Sequence, residues 1–161
     1  MEASIEIRGR TTVGATFAQL VNNEGLKPLE LKDDQQWFGL GTAAILSAKY
    51  AATITGEQAN ELMDMLTTEI PQNPLKTTAI DLIHPPDAKL MREEALPAYY
   101  DTVRRKSARA IRYLIKEGGE QALPKAVMAI RTKKPADGAA LVAAIKEATG
   151  IDLTPQLSKG V

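Results

Sequence analysis

Apolar residues return every three to four positions along most of this chain, the period of a helix with one face turned inward. Val13, Phe17, Leu20 and Val21 form one such stripe, and Ala59, Leu62, Met63 and Leu66 a second. The longest pattern runs from Ala98 to Glu117, with Val103, Ser107, Ala110, Ile111 and Leu114 on the inward face. Leu123, Val127 and Ile130 mark another helix, and Leu141, Val142 and Ile145 a last one over Gly138 to Thr149. One stretch breaks the one-faced rule. From Gln35 to Ala48 (QQWFGLGTAAILSA) there is no charge, and Trp37, Phe38, Leu40, Ala44, Ile45 and Ala48 fall on every side of a helix. Such a helix belongs inside a core. Gly39 and Gly41 each cost it about 1 kcal/mol of propensity, which points to a close crossing by a neighbouring helix.

Capping and stop residues divide the stripes. Thr11 or Thr12 starts the first helix and Gly25 stops it; Asp33 caps the central one, and Thr55 with Gln58 forms a capping box for the next. Pro28 keeps the link before the central helix non-helical. Four prolines between Pro71 and Pro86 make that segment a loop around the short apolar run Ala79 to Ile83. Asp87 to Leu96 is predicted helical, with Pro97 kinking it or opening a new helix. Gly118 and Gly119 end the long helix, Pro124 fits only a first turn, Asp137 caps the last helix and Gly150 stops it. Period-two alternation occurs only at Ser4 to Arg8, a lone strand or extended arm within residues 1–10. The expectation is a single mainly α domain over residues 1–161, with six or seven helices and at most one short strand.

Composition narrows the function. With 44% apolar residues and 20 basic against 20 acidic side chains, no global field steers the molecule to nucleic acid or membrane. The absence of cysteine excludes disulfides, thiolate catalysis and cysteine metal sites. No signal-peptide core opens the chain, and no run reaches the roughly 18 apolar residues that span a bilayer; a cytoplasmic protein is expected. His84 is the single histidine and cannot build a zinc site or triad alone. The pairs Glu93-Glu94 and Asp33-Asp34 are adjacent, so they point apart on a helix and do not share a proton. Arg105, Arg109, Arg112 and Lys116 line one side of the long helix, a face able to meet phosphates or an acidic partner. With two phenylalanines and one tryptophan, an aromatic platform for single strands is not expected, and a solvated basic face is the preferred reading.

Three segments in order resemble one family. Tyr100, the Tyr113-Leu114-Ile115 segment, Gly119, Ala148-Thr149-Gly150 and Leu153 resemble the tail of gluzincin metallopeptidases of the peptidase MA-like type. Upstream, WFGLGTAAILSAKY is similar to that family's W-x-x-E-G-x-A helix, which supplies a zinc ligand. VGATFAQLV stands in the place of the H-E-x-x-H helix. The resemblance spans about residues 12 to 157. It implies two histidine ligands where this chain has Ala15 and Gln19, a catalytic glutamate where it has Thr16, and a glutamate ligand where it has Leu40. A zinc site needs three or four N, O or S donors, so the resemblance implies a metal-free, cofactor-free relative with no catalytic residue. Ala15, Thr16, Gln19, Leu40 and Tyr100 would line a relic cleft, open to a peptide or filled by packing. The expectation is a non-catalytic module with a protein or peptide partner, a homodimer being one way to cover its exposed helical face. The alternative is an unrelated helical domain that uses the basic face.

Overall fold

The computed structural model describes Val21 and residues 26–160. Among the described residues are six α-helices and no strand: α1 (Gln36–Thr55), α2 (Ala59–Thr67), α3 (Leu96–Gly118), α4 (Ala122–Lys133), α5 (Gly138–Thr149) and α6 (Thr154–Leu157). The fold is mainly α. The strand expected at Ser4 to Arg8 and nearly all of the helix expected over Thr12 to Asn23 lie outside the described residues.

Helix α1 is the centre, and α3 is its principal neighbour. Trp37, Phe38 and Ile45 are buried, the first two rings meeting edge to face with centroids 5.8 Å apart. Burial is not complete on every side, because Leu40, Tyr50 and Ile54 are exposed. The close crossing falls on Gly41. A Cβ there would lie 2.3 Å from the Ser107 carbonyl oxygen and 2.7 Å from Ile111 Cγ1. That places the close approach on α3; at Gly39 the nearest atom is a Leu31 side-chain methyl at 3.3 Å.

Thr55 ends α1 and does not cap α2. Gly56 takes the left-handed conformation (φ 72°) and donates its N–H to Ala52, so the turn is a glycine stop, with Gln58 leading into α2. The segment Asp87 to Leu96 forms two short 3-10 turns, Ala88–Leu90 and Glu93–Ala95, instead of a helix. Leu90 is 85% exposed, and only Ala88 and Met91 pack partly against the core, too little burial to stabilise an α-helix there. Pro97 then sits in the first turn of α3.

The proline-rich loop covers α3. Its Ile80, Leu82 and Ile83 are buried, and the C-terminal segment ties to it through Leu82 N–H to Leu157 O (2.9 Å) and Gly160 N–H to Thr78 O (2.8 Å). Lys106 anchors both. Only 1% exposed, it donates to the carbonyls of Ile80 and Ser158 at 2.6 Å each. Burial pushes its ammonium pKa down; Asp81 partly offsets this and Arg109 adds to it. Helices α4 and α5 pack as a pair through Leu123, Ala126, Ile130, Leu141, Val142 and Ile145. Asp137 caps α5 through Ala140 N–H, and Gly138 abuts the backbone of Ile83, where a Cβ would sit 2.6 Å from the carbonyl oxygen.

Candidate functional site

The basic stripe has an unexpected role. Arg105 is 8% exposed; its Nε donates to Asp101 Oδ2 (2.9 Å), and its Nη1 donates to the carbonyls of Met65 (2.9 Å) and Thr68 (2.7 Å). Arg109 Nε donates to the Thr67 carbonyl (2.6 Å), and its Nη1 to Thr77 Oγ1 (2.7 Å). Arg112 Nη1 meets Asp64 Oδ1 at 2.5 Å and Thr67 Oγ1 at 3.2 Å. The order Arg112, Arg109, Arg105 against Asp64, Thr67, Thr68 sets α2 antiparallel to α3. The expectation of a solvated face is therefore corrected for these three arginines. Arg105 and Arg109 satisfy free carbonyls at the negative end of α2, whose own last turn carries no basic residue, and Arg112 pairs with its Asp64. Sequence spacing could not reveal this, because one-sided arginines look alike whether they face water or another helix's end.

Two carboxylates gain from the arrangement. Thr77 donates to Glu69 from its hydroxyl (2.7 Å) and its backbone N–H (3.0 Å), and with Arg109 nearby the Glu69 carboxyl is held below the usual range. Burial opposes ionisation of Asp101, but hydrogen bonds from Arg105 and Asn73 outweigh it and lower its pKa.

What remains of the basic face opens onto a cleft of about 870 Å³ between α1, α2 and α3. Its wall carries Lys49, Arg109, Arg112 and Lys116 against Asp64 and Glu120, with Ile45 and Met63 beneath. Arg112 and Asp64 pair with one another, whereas no described residue pairs with the Lys49 and Lys116 ammoniums. In a molecule of zero formal net charge, this cleft is locally positive. Lys49, Ile115 and Glu120 are shared with a second, more apolar cleft of about 400 Å³, which Leu46, Leu123 and Val127 line.

The residues expected to form a relic cleft fare differently. Ala15, Thr16 and Gln19 lie outside the described residues. Leu40 is 39% exposed and Tyr100 56%, and neither lines either cleft. The buried tyrosine is Tyr99, which α3 turns inward while Tyr100 meets it edge-on at 5.5 Å. Lys49, which sequence reasoning missed, had no signal beyond following the uncharged stretch within α1. His84 is exposed in the proline-rich loop, its backbone N–H donating to Asp81 Oδ1. Among the described residues no three histidine, cysteine or acidic side chains group as metal ligands, and no described helix is long and apolar enough to cross a membrane. No family model matches the chain, nor does any curated protein or solved structure.

Proposed function

We propose that this chain is a non-catalytic binding module that holds an acidic segment of a protein or peptide partner in the cleft between α1, α2 and α3. The observation that carries this reading is that Lys49 and Lys116, with no ion pair to any described residue, stand on a cleft already lined by Arg109 and Arg112. Four cations against Asp64 and Glu120 leave the described wall with an excess of positive charge, and an acidic ligand relieves the repulsion among them. In this reading the gluzincin-like positions Ala15, Thr16, Gln19 and Leu40 belong to a scaffold that has lost its metal chemistry.

Fluorescence anisotropy with a labelled oligoglutamate peptide tests the proposal. Binding is expected at low salt, weakening as ionic strength rises and dropping at least about tenfold in the double variant Lys49→Glu, Lys116→Glu. Stronger binding of duplex DNA or RNA, lost in the same variant, would favour the basic-face alternative instead. The non-catalytic part is tested separately: stoichiometric zinc with peptidase activity in purified protein would overturn it.

A further inference from the structure

The cationic cleft continues past Lys49. Beyond the shared edge of Lys49, Ile115 and Glu120 its surface changes character, becoming the apolar trough between Leu46 of α1 and Leu123 and Val127 of α4. Thr42 lies at the base of this trough. Along α1 the joined clefts run from Thr42 to Lys49, about 10 Å or two helical turns.

The openness of both clefts decides between classes of ligand. A small molecule is held by enclosing roughly 70–90% of its surface, whereas among the described residues both clefts stand between an enclosed cavity and a flat surface. A helix laid into an open groove leaves its outer face in water and needs only one apolar stripe and one charged flank. Cations on one wall and aliphatic side chains on the other match that division.

Resting on the binding function proposed above, we infer that the occupant is an amphipathic acidic helix of a protein partner. Its aliphatic residues, spaced three and four apart, sit between Leu46, Leu123 and Val127. Its carboxylates face Lys49 and Lys116.

Three labelled peptides of about 15 residues, roughly four turns, separate this inference from the broader reading. One carries leucine at helical spacing with a glutamate flank; in the second every leucine is glutamine; in the third every glutamate is glutamine. The first is expected to bind at least about tenfold tighter than either of the others. Val127→Gln, which removes apolar surface without adding charge, should abolish the advantage conferred by leucine while leaving the leucine-free acidic peptide unaffected. Val127→Ala, which only trims the wall, serves if circular dichroism shows the glutamine variant unfolded. Equal affinity of the two acidic peptides would overturn the inference while leaving the acidic-partner reading intact. Equal affinity of the two leucine peptides would overturn the acidic flank, and an advantage that survives both Val127 variants would overturn the placement. Failure of both acidic peptides to bind would contradict both proposals.

Discussion

Gly41 shows how one hydrogen atom in place of a methyl fixes the position of two helices. With the Ser107 carbonyl 2.3 Å from any Cβ, neither backbone can stay where it is in Gly41→Ala. The cost should be about 1–3 kcal/mol or more. Gly39→Ala is the matched control. Its nearest contact is the flexible Leu31 side chain at 3.3 Å, and the gain in helix propensity of about 1 kcal/mol offsets the crowding. Denaturant unfolding of the two variants should separate them clearly; equal losses would place the crossing elsewhere. Titration makes a second prediction at this scale. Glu69 ionises more readily folded than unfolded, so its contribution is present above its ordinary value of 4.5 and lost as pH falls through the lower folded value. Because the side chain is partly exposed, Glu69→Gln should cost under about 1 kcal/mol at pH 7, and the difference from wild type should vanish in acid. Asp152 extends the pattern: hydrogen bonds from Lys146 and Thr154 hold its carboxyl down to about 2, a value that an NMR titration of the side chain reads directly.

At the scale of elements, α2 depends most on its neighbours. Nine residues cannot hold a helix in water unaided, and its C-terminal carbonyls are satisfied by guanidinium groups of α3. In Arg105→Ala, Arg109→Ala those carbonyls lose their donors, each loss worth about 1–3 kcal/mol. Amide hydrogen exchange across Ala59–Thr67 should then accelerate at least about tenfold, with α5 little changed; uniform acceleration throughout would contradict the local account. This dependence also explains what the sequence could reveal. Helices with a sustained apolar period and clear ends, α3 and α5, are legible because local signals and packing agree: Pro97 opens α3, and Asp137 and Gly150 bound α5. The α1–α2 turn was misread because Thr55 and Gln58 imitate a capping box, while Gly56 carries the left-handed turn. The segment Asp87 to Leu96 has helix-forming residues but buries little beyond parts of Ala88 and Met91, and α6 is too short to carry a period.

For the whole molecule, balanced charge conceals local imbalance. Most of the stripe on α3 serves the interior of the fold: Arg105 and Lys106 are buried, and Arg109 and Arg112 are half-occupied by α2. The cationic surface left over is a cleft completed by Lys49, a residue 67 positions before Lys116 in the chain, and only the fold brings the two together. That is why the candidate site was half legible. Arg109, Arg112 and Lys116 stood out as a charged helix face, whereas their partner residue on α1 and the concavity between them depend on the crossing at Gly41. The most direct measurement is a two-dimensional NMR titration of the labelled protein with the leucine–glutamate peptide. The account predicts that shifts concentrate on amides around Ile45 to Lys49, Met63 to Asp64, Arg112 to Glu120 and Leu123 to Val127. Shifts centred on the exposed face at Met128 and Lys133, or spread evenly over the surface, would contradict it.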